Sequence, residues 1–129
     1  YTLCKLLHSL LGLLCENSKI NVKMLHRMRV IDMLLNMFSM GWHVCINQIF
    51  ALSKPKHIQK EYVHIVIRQI DAAILKGAYP YELINLLNII CQPGGIVAKN
   101  IQTEITHCLI GTLKDGKLVS KGLVYEFME

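Results

Sequence analysis

The chain has 129 residues, of which 53% are hydrophobic, and a formal net charge of +5 at pH 7. That length fits one ordinary domain, and a mean hydropathy of +0.37 exceeds what a free-standing soluble domain of this size usually carries, so some apolar surface is expected to face further protein. The moderate positive charge favours acidic or phosphorylated partners, but no aromatic residues interleave its basic clusters, which argues against nucleic acid.

The chain opens Tyr1-Thr2-Leu3-Cys4 without an initiator Met and runs directly into leucines, which reads as a piece of a longer polypeptide, with residues 1–129 forming a single helical-repeat segment. Leu3, Leu6, Leu7, Leu10, Leu13 and Leu14 recur at the spacing of one helical face, with Lys5, Ser9, Gly12 and Glu16 away from it, and predict a first helix. Glu16-Asn17-Ser18 supplies loop and capping oxygens. A short second helix carries Ile20, Val22, Met24 and Leu25 into the basic residues His26, Arg27 and Arg29.

Val30 to Phe38 resumes the helical period with Asp32 in its first turn, and Gly41 interrupts it. Val44 to Leu52 makes the next helix, stopped by Ser53-Lys54-Pro55 because the residue before a proline is pushed out of helical space. From His57 to Lys76, Val63, Val66, Ile67, Ile70 and Ile74 form an apolar stripe, and Gly77 is the expected C-cap. Pro80 at the first helical position starts a helix through Leu83, Leu86, Leu87 and Ile90 to Cys91, where Gln92-Pro93-Gly94-Gly95 breaks it. A helix from Ile96 to Leu113 follows, with Ile101, Ile105, Leu109 and Leu113 four apart. Asp115-Gly116-Lys117 is a turn, and the tail from Leu118 to Met128, whose Val-Tyr and Phe suit either a strand or a closing helix, is read as helix in keeping with the helical company.

One pattern occurs twice. Leu34-Leu35-Asn36 followed by Ile46-Asn47-Gln48 is echoed by Leu86-Leu87-Asn88 followed by Asn100-Ile101-Gln102, each pair separated by a glycine-bearing break. Paired helices of this kind cannot bury their apolar faces alone and must pile onto neighbours. The expected fold is therefore all-α, an α-α superhelix of stacked helical hairpins of the armadillo or HEAT type, whose partners are neighbouring repeats of the same chain or of other subunits.

Motifs for chemistry are absent from the sequence. There is no G-x-S-x-G, no H-E-x-x-H, no P-loop and no pair of carboxylates on one helical turn, so no enzyme and no cofactor are expected. His43 with Cys45, and His107 with Cys108, are spaced so that neither pair shares a helical face, and no metal site is expected. Five cysteines (Cys4, Cys15, Cys45, Cys91 and Cys108) lie in or beside apolar stretches and read as reduced thiols. The methionines Met24, Met28, Met33, Met37 and Met40 are expected in the core. Met33 to Ser53 is the longest run without a formal charge, but Asn36, Ser39, His43, Asn47 and Gln48 make it unsuitable as a membrane span. The densest basic cluster supplies the candidate ligand-binding residues Lys19, Lys23, Arg27 and Arg29, with His26 among them, for a phosphate or an acidic partner. Lys54, Lys56, His57 and Lys60 form a second cluster.

The segment Glu82 to Cys91, its glycine-bearing break, Ile96 to Gln102, and then Ile105 and Leu109 resembles the homology domain shared by inositol trisphosphate receptors and ryanodine receptors. Leu10 to Met28, with its Cys-Glu-Asn-Ser-Lys turn, is similar in order to the preceding hairpin of that domain. The resemblance implies a cytoplasmic α-solenoid layer of a calcium-release channel of the endoplasmic reticulum, coupling ligand-induced movement to a pore elsewhere. It also implies inositol phosphate as a ligand, with Lys19 in the turn Ser18-Lys19-Ile20-Asn21 as the one basic match. The alternative from the residues alone is a generic armadillo or HEAT scaffold for protein–protein contact.

Overall fold

The architecture is that of a computed structural model, which describes residues 2–36 and 43–124. Helix α1 (Thr2–Cys15) ends where Asn17 adopts a left-handed conformation (φ 56°), and Ser18 then caps α2 (Lys19–Arg27) by accepting the Asn21 backbone N–H at 3.3 Å. The Asn21 side chain donates back to the Leu14 carbonyl at 2.7 Å, fastening the α1–α2 corner. Helix α3 (Val30–Asn36) carries Asp32 in its first turn, and α4 (His43–Ala51) follows. A single 3₁₀ turn (Pro55–His57) leads into α5 (Lys60–Leu75).

Gly77 ends α5 at φ 73°, with its N–H on the Ile74 carbonyl and the Ala78 N–H on the Ala73 carbonyl, a Schellman closure that satisfies two orphan acceptors. Helix α6 (Tyr81–Cys91) starts one residue after the position expected, with Pro80 as N-cap and not as first helical residue. The Pro93–Gly95 turn then brings Gly94 (φ 63°) so close to the end of α4 that a Cβ there would lie 2.8 Å from the Ser53 carbonyl oxygen.

Each later helix packs on its chain neighbour or on the one after it: α3 on α4 and α5, α4 on α6, α5 on α6 and α7, and α6 on α7. The core gathers Ile31 and Leu35 of α3, Ile46, Ile49 and Phe50 of α4, Tyr62, Val63, Val66 and Ile70 of α5, and Leu86 and Ile90 of α6. The α5 stripe read from the sequence holds, with Ile67 and Ile74 half-buried at its margin. Tyr62 and Ile65 extend it, because α5 is covered by α3, α6 and α7 instead of on one side.

The C-terminal part departs from the expected all-helical reading, so the fold is mostly helical with a small sheet. Helix α7 spans Lys99–Leu109, and Gly111–Lys114 (β1) and Lys117–Lys121 (β2) form an antiparallel hairpin. Gly111 sits at φ 115°, and a Cβ on it would collide with the Ser120 carbonyl oxygen, so the helix cannot run through to Leu113 as its spacing suggested. Leu113 and Leu118 pair across the hairpin, and of the two readings of the tail from Leu118 the strand holds as far as Lys121, in place of the favoured closing helix. Asp115 (φ 54°) and Gly116 (φ 77°) are the two left-handed residues that a tight primed turn requires. Residues 125–129, and the expected break at Gly41 with Met37, Phe38 and Met40, lie outside the described residues.

Candidate functional site

The leucine stripe of α1 points outward. The helix meets α4 through Leu11, Gly12 and Cys15, and Gly12 is the reason: a Cβ there would lie 2.6 Å from the Gln48 side-chain oxygen, so this small position permits close approach. With that face inward, Leu3, Leu6, Leu7, Leu10, Leu13 and Leu14 remain between 45% and 68% exposed. Six leucines on one helix form an apolar surface of the kind that marks a docking site.

Helix α2 continues this outer surface. Val22 and His26 face the core, while Ile20, Met24 and Met28, four apart, are exposed. Met24, Met28 and Met33 therefore belong to the surface, contrary to the core placement expected from their spacing, because Val22 and His26 occupy the inward positions of α2 and Ile31, Leu34 and Leu35 those of α3. Beside the Ile20–Met24–Met28 line runs a cationic one: Lys19, Lys23 and Arg27 are also four apart and exposed, which puts three of the four candidate binding residues on one stripe. The fourth, Arg29, lies beyond the end of α2 with its Nε 3.2 Å from the Asp32 carboxylate, and so stands off the stripe with its charge matched.

Two basic clusters separated in sequence adjoin in space. His57, on the 3₁₀ turn, has its pKa lowered first by burial and then by Lys56, Lys23 and Lys54, so the α2 stripe and the Lys54–Lys56 cluster act on one imidazole. The result is an apolar face with a cationic border, made by α1, α2 and the turn before α5.

His26 is the exception within its cluster: it is buried, and its pKa falls to about 4, through burial and then through His57. Its ring stacks on His57 with centroids 5.4 Å apart. The Ser53 hydroxyl donates its proton to the Ile49 carbonyl at 2.7 Å, so His26 Nε2–H donates to Ser53 Oγ at 2.7 Å. The Tyr62 hydroxyl, 2.9 Å away, then donates to Nδ1. One neutral tautomer satisfies both ring nitrogens, and this bridge joins α2, α4 and α5 beneath the basic surface. The sequence placed His26 with the surface cations; its position four residues after the inward-facing Val22 was the available signal of burial.

Burial raises the pKa of Cys15, Cys91 and Cys108, and pushes Cys45 up to about 12 with Cys15 adding to it, so these four thiols stay protonated at neutral pH. A cleft of about 680 Å³ between α5 and α6 is lined by Asn36, Gln69, Lys76, Tyr79, Tyr81 and Glu82 among others, without a cysteine, serine or histidine to act as nucleophile or base. No helix among the described residues is long and apolar enough to cross a membrane. Comparison with protein-family models, with curated proteins and with solved structures finds no match.

Proposed function

We propose that this chain is a non-catalytic helical contact module that docks an amphipathic, acid-flanked helix of a neighbouring helical repeat on the outer face of α1 and α2. The observation that carries the reading is the outward α1 stripe: six leucines at 45–68% exposure on a helix that meets α4 through its opposite, glycine-bearing face. Charge complementarity names the occupant's flank, since Lys19, Lys23 and Arg27 border the apolar surface on one side. Packing of α3 on α5, α4 on α6 and α5 on α7 is the contact order of stacked hairpins, and it supports a solenoid in which α1 is one open face.

The finer proposal, an α-solenoid layer on the cytoplasmic face of an inositol trisphosphate or ryanodine receptor-like calcium-release channel, draws its support from the residues of α6, the Pro93–Gly95 break and α7. A parent chain without a multi-helix membrane region would overturn it.

The direct test uses two synthetic amphipathic helices with the same leucine stripe, one flanked by glutamates and one by lysines. The chain is expected to bind the glutamate-flanked helix, more weakly at high salt, and to lose it on Leu6→Glu with Leu13→Glu while its circular dichroism is unchanged. Equal binding of both helices, or binding that survives the double change, would overturn the proposal. Calorimetry with inositol phosphate at low salt, with and without Lys19→Ala and Arg27→Ala, tests the ligand implied by the channel reading.

A further inference from the structure

Three donor atoms of different chemistry converge where α5 packs on α7. His64 Nε2 lies 2.8 Å from Glu104 Oε1, and Cys108 Sγ completes a group whose ligand atoms all fall within 4.8 Å of one another. Glu104 and Cys108 are four residues apart on α7 and so share one helical face, towards which α5 presents His64. We propose that His64, Glu104 and Cys108 form a Zn²⁺ site that clamps α5 to α7.

The geometry suits that ion. Zinc takes nitrogen and oxygen at about 2.0–2.2 Å and sulfur at about 2.3 Å, which sets the edges of a tetrahedron at roughly 3.4–3.7 Å. A triad already within 4.8 Å reaches those edges by side-chain adjustment, without moving either helix. An imidazole, a carboxylate and a thiolate together select a borderline-soft ion over Mg²⁺ and Ca²⁺, which want oxygens alone.

Burial separates the roles of the three. Glu104 and Cys108 are half-buried and form the floor, whereas the His64 side chain is 53% exposed, which leaves the fourth position open to water. In its Nδ1–H tautomer His64 offers the Nε2 lone pair to zinc in place of the Glu104 contact, Glu104 binds as carboxylate, and the Cys108 thiol gives its proton to solvent as the sulfur binds as thiolate. Because zinc takes the sulfur only as thiolate, filling the site releases a proton, and occupancy should rise with pH. His107, next in sequence to Cys108, is exposed on a different side of α7 and takes no part.

Cobalt(II) reports on the sulfur directly. Titrating the chain with Co²⁺ should produce a thiolate-to-cobalt charge-transfer band in the near ultraviolet, bleached by stoichiometric Zn²⁺. Cys108→Ser should abolish the band, and His64→Asn or Glu104→Gln should weaken Zn²⁺ binding more than about ten-fold, whereas Cys91→Ser and His107→Asn should leave both intact. Thermal unfolding with Zn²⁺ should shift upward in the parent chain and not in Cys108→Ser, with circular dichroism confirming that the variant folds. No charge-transfer band, or a band that survives Cys108→Ser and disappears with Cys91→Ser, would overturn the assignment.

Discussion

Lowering the pH from 7 to 4 should remove about 3 kcal/mol of stability through His26 alone. Its folded pKa of about 4 stands below the 6.5 of an unperturbed histidine, so between these values the unfolded chain binds the extra proton and the folded one does not. Stability from this group is complete above pH 6.5 and is lost progressively as pH falls towards 4. A difference from 6.5 to about 4, at about 1.4 kcal/mol per pH unit and allowing for half-protonation of the folded form at the end point, gives about 3 kcal/mol. That is a large fraction of the ordinary stability of a domain, about 5–15 kcal/mol.

The surroundings explain why the imidazolium finds no relief. Phe50 faces it from α4, Ser53 from just past the end of α4, Tyr62 from α5 and His57 from the 3₁₀ turn, with Lys23, Lys54 and Lys56 acting on His57. Burial holds the Tyr62 phenol well above the usual range, with Asp32 and Glu61 adding to it. Urea unfolding followed by far-ultraviolet circular dichroism, at pH values from 7 to 4, measures the effect in the parent chain and in His26→Phe. The stability gap between the two should change by about 3 kcal/mol over that range. A gap independent of pH would refute the reasoning, as would an imidazole resonance of His26 titrating near 6.5 in the folded protein.

Three other outcomes follow from the same geometry. Tyr62→Phe leaves His26 Nδ1 buried without its donor and should cost about 1–3 kcal/mol, read as a lower urea midpoint at unchanged slope. Gly94→Ala forces a side chain into a left-handed position 2.8 Å from the Ser53 carbonyl and should cost about 2 kcal/mol, whereas Gly95→Ala, also left-handed but with open space around it, should cost less. Lys23→Glu removes one of the cations that depress His57 and should raise the His57 titration midpoint, as followed by NMR, with no loss of helix signal.

The sequence made the helices legible where a break and a period coincide. The α5 stripe from Val63 to Ile74 and the stop at Gly77 could be read directly, because a buried helix with a glycine end leaves both marks. The α1 stripe was equally clear in spacing and silent on direction: periodicity says that a helix has an apolar face, and only the Gly12–Gln48 approach says which face turns inward. The hairpin was missed because Ile101, Ile105, Leu109 and Leu113 keep a four-residue spacing through a helix end. Asp115-Gly116 between Thr112-Leu113-Lys114 and Lys117-Leu118-Val119 was the opposing signal, and the stronger one.

For the candidate sites the limit was distance along the chain. Lys19, Lys23 and Arg27 could be found as a cluster, but their junction with Lys54 and Lys56 depends on the bridge through His26. The grouping of His64, Glu104 and Cys108 is invisible in the spacing of any single helix. His64 meets Glu104 and Cys108 only across the α5–α7 contact, which spacing does not encode.

The β1–β2 ribbon carries a consequence for how the protein can be handled. Among the described residues the two strands pair only with each other, and Leu118 and Val119 lie exposed on the second strand, so further strands from other molecules have a template to add to. Lys114 and Lys117 punctuate that template with like charge, and the register irregularity between Thr112 and Leu113 twists it. Acetylating those lysines, or raising the pH until they discharge, would strip the gatekeepers from an edge that otherwise repels its own copies, and concentrated samples should then turn to fibrils.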